Sequence, residues 1–473
     1  MKSLWPYIVP LPLERKKLDR IIQSVFGSKA ALEILKNTSP NKRVYQKDLI
    51  SELGFSNKTI IEALKKLVSS GILEQGMEKR MEKGRNVWMK WYVPTFQGKW
   101  LTLLLQSPTE ISRDEARKIV MELFMIYIEN IVKLCADNAI EPVAFESMMN
   151  KALLKMLEST KSGAPYKRRV IVYGSAAVDT IAVVDKLPET DGTRYLSDVQ
   201  DYPGGSAANV SVALRRLGVP VSFVGKIGGD ADGLLLMKEF QKEGVDTSGV
   251  IIEPEQTTVK TFISIDQFGG KRIQVLGRDN SALSLSSPKE VDWSMIEESE
   301  AVYVGEVFTE VAELIASFAR SRSKTVVYRP GQSLITFNAE KVRNILRHVN
   351  VLILNQLGWE AIKKIPESVP ADLIENGPEV VIVTKGVEEC QTYTKDETFE
   401  KTAYTIKTID TTGAGDAFVA GLISALLESK DLKECVKYAL AVSAISVTKK
   451  GARTAFPTTS EVEEFTKCRI AIP

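Results

Sequence analysis

The sequence reads as an α/β protein with a buried, mainly parallel sheet, preceded by a smaller, basic, mostly helical module. Three observations carry that reading. The chain has 473 residues, about three times the usual single-domain size of ~150, so one core is not expected to hold it all. Its net charge of +2 hides a division: residues 1–165 hold 26 basic and 18 acidic side chains, and the remainder holds 36 against 42. Continuous β-branched runs separated by helical stretches begin only at Arg169, and such runs mark strands buried on both faces.

Composition narrows the function classes. A chain 44% hydrophobic and 26% charged is an ordinary globular protein, which excludes global disorder and a polybasic coat. Four cysteines (Cys135, Cys390, Cys435, Cys468) stand far apart and His348 is the one histidine, so zinc fingers and His-ligated metal centres are excluded. No stretch reaches the roughly 20 apolar residues of a membrane span. The first 20 residues lack a secretory signal pattern, and the expectation is a cytoplasmic protein without a membrane partner.

In the first part, Lys29 to Leu35 has helical spacing, and Gln46 to Leu53 is a second short helix ending at Gly54. Thr59 to Leu67 then puts Ile60, Ile61, Leu64 and Leu67 on one helical face, with Ser56 as N-cap. Helix, tight turn and capped helix predict a helix-turn-helix. Two strands follow, Gly71 to Met77 and Val87 to Val93, around a basic loop, and the stretch resembles the winged helix-turn-helix family. On that reading Lys58, Lys65 and Lys66 on the second helix, with Arg80, Lys83 and Arg85 on the wing, neutralise phosphates of double-stranded DNA. The alternative is a helical dimerisation module with a solvated basic face.

Ser112 to Ala136 and Val143 to Leu157 read as long amphipathic helices, a linker or the brace of a homodimer. Ser159 to Arg168 is the seam. The expected domains are therefore 1–105, 106–165 and 166–473.

Two segments of the last part carry chemistry. In Asp410-Thr-Thr-Gly-Ala-Gly-Asp416-Ala-Phe418, small residues open an apolar helix, so backbone N–H groups converge where the helix dipole favours an anion. An aspartate among them repels phosphate, unless Asp416 takes a proton from an attacking hydroxyl while the N–H groups hold a transferring phosphoryl group. The other segment, Tyr202-Pro-Gly-Gly-Ser-Ala-Ala-Asn209, exposes backbone at Gly204 and Gly205 before a helix with Asn209 in its first turn, which suits a polyol.

Together these segments resemble the paired signatures of the ribokinase, or PfkB-type, carbohydrate kinase family over about residues 168–460. The resemblance implies a ribokinase-like doubly wound sheet with a small β lid, here Thr193–Ser197, Thr258–Ile265 and Arg272–Leu276. It implies Asp416 as catalytic base and Gly413, Ala414 and Gly415 as anion hole. Asp179, Gly204, Gly205 and Asn209 would bind sugar hydroxyls, while Asn355, Thr384, Gly386, Thr412 and Ser443 would border the nucleotide. ATP with Mg2+ is the implied donor, and Asp410 matches where relatives often hold a monovalent cation.

Two departures stand out. Asn355-Gln-Leu-Gly358 has glycine where the family commonly has a magnesium-organising glutamate, and Glu360 follows two residues late as the substitute, acting on Mg2+ through water. Arg329 stands where many relatives carry aspartate; with Arg278 it could clamp an acidic sugar derivative. The leading expectation is an ATP-dependent kinase of a sugar, sugar derivative or nucleoside hydroxyl, fused to a DNA-binding module. Its rival is a transcriptional regulator that uses a kinase-like domain as a sensor.

Overall fold

The computed structural model describes residues 15–39, 42–82, 85–105, 142–159, 168–189, 191–267, 270–276, 284–331, 335, 339–364, 370–375 and 377–470, with isolated positions between 117 and 132. The chain divides into two compact units, Met1–Ala144 and Phe145–Pro473. Most of the expected helix from Ser112 to Ala136 lies outside the described residues, as do Lys83 and Arg278.

The first unit runs α1 (Arg15–Phe26), α2 (Lys29–Lys36), β1 (Val44–Tyr45), α3 (Gln46–Glu52), α4 (Asn57–Ser69), β2 (Leu73–Glu82), β3 (Arg85–Pro94) and α5 (Phe96–Leu105). Ser56 caps α4, its Oγ accepting from the Thr59 N–H at 3.2 Å. The apolar stripe foreseen on α4 is buried at Ile60, Leu64 and Leu67, against Ile34, Leu35 and Leu49. β2 and β3 pair antiparallel from Leu73↔Pro94 to Glu82↔Arg85, and β1 adds to β3. The hairpin is longer than its sequence suggests. Arg80, expected in the loop, lies inside β2 with its guanidinium 4.2 Å from the Tyr45 ring and its Nε donating to Glu78 at 2.9 Å.

The helix Pro142–Ser159 precedes the second unit's sheet, and its Leu154 is buried in that unit's core. The compact unit therefore begins ahead of the seam at 159–168, because an apolar helix residue follows its packing partners rather than the composition of the linker.

The second unit holds strands β4 (Val170–Tyr173), β5 (Ala177–Val184), β6 (Ser197–Gly204), β7 (Val221–Gly228), β8 (Asp246–Glu253), β9 (Val259–Asp266), β10 (Lys271–Leu276), β11 (Ala301–Val304), β12 (Thr325–Tyr328), β13 (Val351–Asn355), β14 (Val380–Thr384), β15 (Glu389–Thr394) and β16 (Thr398–Thr402). Nine form one sheet in the order β16-β15-β14-β13-β12-β11-β4-β7-β8. It is parallel from β14 to β8, and β15 and β16 add antiparallel at one edge. Successive residues of β4 serve two cores: Val170 and Val172 pack with Phe223, Val419 and Leu422, while Ile171 and Tyr173 pack with Val304, Ile315 and Leu352. Both faces are covered, which explains the uninterrupted apolar runs.

A second sheet, β10-β9-β5-β6, is the lid. Here the expectation needs correction. Thr193–Ser197 is not a strand; Ser197–Gly204 is, and Ala177–Val184 joins it antiparallel. The Gly204-Gly205 segment is thus the end of a lid strand, which turns at once into the helix Ser206–Arg216. Among the described residues no helix is long and apolar enough to cross a membrane.

Candidate active site

The parallel strands deliver their carboxyl ends to one edge of the sheet, where ligands collect in such folds. Pairing puts Val304 of β11 beside Tyr328 of β12, and Asn355 of β13 beside Thr384 of β14. Glu306, Arg329 and Asn355 therefore emerge side by side. Opposite them stands the start of the helix Ala414–Leu427. Gly413 there has φ +83°, and a β-carbon on it would lie 2.8 Å from the Ala452 carbonyl, so both conformation and space require glycine. The first N–H groups of that helix have no intrahelical acceptor.

Asp416 is buried in the first helical turn. Its Oδ1 accepts from Ser206 Oγ at 2.9 Å and from Arg329 Nη1 at 2.7 Å, and its Oδ2 accepts from Asn209 Nδ2 at 2.9 Å. Ser206 and Asn209 reach it from the first turn of their own helix. That turn is tight: Gly205 has φ +87°, and a β-carbon there would meet Ala176 Cα at 2.6 Å. Asn209 is oriented in turn by Arg453, whose Nε donates to Asn209 Oδ1 at 2.8 Å and whose Nη2 donates to the Gly204 carbonyl at 2.8 Å.

Charge in this site is buried and matched. Burial works against the Arg329 cation, but the Asp416 charge, with Tyr303 and Glu306, outweighs it and holds the guanidinium above its ordinary range. Burial wins at Arg453 and lowers it to about 10, against the opposing charge of Asp179. Burial also raises Asp179, although Thr261 Oγ1 donates to it, and raises Glu306, which accepts from Ser175 Oγ at 2.7 Å. Asp410 lies below the usual carboxylate range. Burial opposes its charge, but Thr412 donates to Oδ1 from both N (2.9 Å) and Oγ1 (2.7 Å), and the Gly451 N–H donates to Oδ2 at 2.9 Å. Lys271, from lid strand β10, adds its ammonium at 3.4 Å.

Two adjoining cavities open here. One, of about 440 Å³, is lined by Ser206, Lys271, Glu306, Thr412, Gly413 and Asp416 among others. The other, of about 510 Å³, is lined by Thr384, Gly386, Ala414, Leu440 and Ser443 among others. Arg329, Asn355, Thr411 and Gly415 line both.

The structure thus gathers Asp416, Gly413, Gly415 and Thr412 on the first cavity and Ala414, Thr384, Gly386 and Ser443 on the second. Asp179 and Asn209 are buried beside the first cavity rather than on its wall. Glu360 is not brought in: it is exposed, pairs with Lys363 at 2.9 Å and accepts from Gln356 at 3.1 Å. Two residues past Gly358 means about 200° around a helix, so Gly358 lines the cavity and Glu360 turns away. At Asp410, where the resemblance implies a cation, three donors meet Oδ1 and the Gly451 N–H meets Oδ2.

Sequence reasoning missed Ser206, Lys271 and Arg453. Arg453 left one signal, a charged side chain inside the small-residue loop 451–455.

The profile of the pfkB family carbohydrate kinase matches residues 167–459, and the chain belongs to that family. It is 32% identical over 301 residues to the ATP-dependent ribose-1-phosphate kinase of Halopiger xanaduensis, covering 63% of this chain and 97% of that one. To the nucleoside kinase of Methanothermobacter thermautotrophicus it is 29% identical, covering 63% and 96%. The crystal structure of ribokinase from Thermotoga maritima superposes with a TM-score of 0.56 at 27% identity, over 63% of this chain and 99% of that one. The protein is a phosphotransferase with an alcohol acceptor, of the sugar and nucleoside kinase type.

Proposed function

We propose that the second unit moves the γ-phosphoryl group of ATP to a hydroxyl of a sugar, sugar derivative or nucleoside, with Asp416 as the base. The observation that carries this is the Asp416 carboxylate itself, held by three side-chain donors where the helix N-terminus opens onto two joined cavities. The acceptor enters the cavity beneath the lid, with Ser206 and Lys271 on its wall and Asp179, Gly204, Gly205 and Asn209 behind it. Asn355, Thr384, Gly386 and Ser443 border the nucleotide. The N–H groups of Gly413, Ala414 and Gly415 hold the charge that develops on the phosphoryl oxygens.

Magnesium bound to a nucleotide needs only one or two carboxylates from a protein. Among the described residues no three acidic, histidine or cysteine side chains converge, but two acids, Glu306 and the Asp416 that pairs with Arg329, line the first cavity. Magnesium that arrives with the nucleotide would be held mainly by its phosphates, with Glu306 the acid on that cavity besides Asp416, and would supply neutralisation of phosphate charge.

The test is ATP consumption by the full-length protein, with magnesium, across sugars, sugar acids, sugar phosphates and nucleosides. One acceptor class should be turned over, and Asp416→Asn should lower kcat by about 10²–10⁴-fold. Equal turnover by the variant would refute the assignment. The Arg329–Asp416 ion pair favours one second reading, a sensor that binds ligand without turning it over; silence across the panel, with a ligand still raising the melting temperature, would select it.

For the first unit we propose a winged helix-turn-helix that binds double-stranded DNA as a homodimer. Lys58, Lys65 and Lys66 are exposed on α4, as the reading requires. Arg80 fits less well, since Glu78 holds its guanidinium.

A further inference from the structure

Arg329, expected from the sequence to clamp an acidic acceptor, has no part in the transfer step as proposed above. Its guanidinium is partly buried, and one nitrogen, Nη1, reaches both Asp416 Oδ1 at 2.7 Å and Ser206 Oγ at 3.0 Å. The other, Nη2, lies so close to Gly415 that a β-carbon there would sit 2.5 Å from it. Gly415 is part of the anion hole, so this cation occupies the ground between the base and the backbone N–H groups. It also lines both cavities. On the kinase reading the acceptor lies in one cavity and the nucleotide in the other, and phosphorus is the atom that must pass between them.

We propose that Arg329 is a catalytic residue that binds the phosphoryl group in transit. The proposal rests on the kinase reading and adds to it a charge that moves partner as the reaction proceeds. The acceptor oxygen forms its bond to the γ-phosphorus and its proton passes to Asp416. The bond from phosphorus to the β–γ bridging oxygen breaks, and its electron pair leaves with ADP. As Asp416 takes the proton it loses the charge that holds Arg329, at the moment when negative charge spreads over the phosphoryl oxygens beside Gly415. The guanidinium is then free to pair with those oxygens, for which its planar fork is suited. Gly358 is consistent with this arrangement, since with glycine there no carboxylate from that position competes for the cation.

The experiment uses full-length protein with Arg329→Ala, Arg329→Lys and Asp416→Asn, in two measurements. In steady state, Arg329→Ala should lower kcat by about 10²-fold or more with acceptor KM unchanged, Arg329→Lys should lose less, and added guanidinium ion should restore part of the alanine variant's rate. In thermal melting, ADP with magnesium and aluminium fluoride, which imitates a phosphoryl group in transit, should stabilise the parent more than ADP with magnesium alone. Arg329→Ala should keep the ADP shift, which also shows that it is folded, and lose the fluoride increment. A raised acceptor KM with kcat intact would make Arg329 an acceptor clamp and overturn the proposal. So would a raised kcat, the mark of a latch on the base, or a fluoride increment that survives the substitution. Turnover abolished by Asp416→Asn but untouched in both Arg329 variants would sink this inference and leave the kinase reading standing. A parent with neither turnover nor an ADP shift would overturn both.

Discussion

The first unit and the candidate site of the second handle positive charge differently. In the first, cations stay at the surface and rest on aromatic rings: Arg43 over Trp91 at 4.2 Å, Arg80 over Tyr45 at 4.2 Å, Lys79 over Trp88 at 5.3 Å and Lys90 over Tyr92 at 5.6 Å. In the second, such contacts recur at the surface, as with Lys363 over Trp359 at 5.6 Å, but at the site Arg329 is partly buried and Arg453 buried, each tied to acceptors that belong to the site. A surface cation costs little to hold and is screened by salt. A buried one is tolerated only where its partners are in place, so it fixes geometry. The comparison separates solvated charge from charge that holds the geometry of a site.

Changes at the buried site should have the larger effects. Gly413→Ala forces a side chain into left-handed backbone and against the Ala452 carbonyl; the conformation alone costs about 1–2 kcal/mol. A clearly lowered melting temperature and loss of turnover are expected, and a parent-like melt would mean that the loop is not held as described.

Arg453→Met removes the group that orients the Asn209 amide. Removing this one partner leaves the buried Asn209 Oδ1 and Gly204 carbonyl without their donor, so despite the recovered desolvation stability should fall by about 1–3 kcal/mol. Turnover should fall about tenfold, as for a loosened catalytic contact. A large stability loss with kcat preserved would make Arg453 a structural residue only.

Glu306 supplies a test in pH. Its folded-state affinity for protons is raised by burial, so above the ordinary carboxylate range the folded state binds more protons than the unfolded one, and stability declines as pH rises. Glu306→Gln should therefore melt higher than the parent at neutral pH, with the gap closing as pH falls toward about 4. A gap that widens on acidification would reverse the sign and refute the assignment.

The smallest effect on the enzyme is expected in the first unit. Substituting Lys58, Lys65 and Lys66 by Ala should leave turnover unchanged and stability within about 0.5 kcal/mol. If these residues contact phosphates, each one lost should flatten the log–log salt dependence of DNA affinity by about 0.9. An unchanged slope would place any DNA contact elsewhere.

Local pattern was enough for much of this protein. The β-branched runs from Val170 to Val383 marked the parallel strands because both faces of that sheet are buried, and Asp410 to Phe418 marked its loop and helix because only glycine and small residues permit that backbone. The Ser56 cap and the apolar stripe of α4 were equally plain, since capping and helical periodicity are set within a few residues. Tertiary structure decided what depends on distant partners. Arg329 meets Asp416 across 87 positions and Arg453 meets Asn209 across 244, and no spacing rule connects them. Glu360 stood near enough in the chain to serve the site, yet helical rotation turns it to solvent. The lid strand at Ser197–Gly204 was misplaced because its residues are mostly exposed, and a strand held by pairing along one edge leaves little apolar pattern to read.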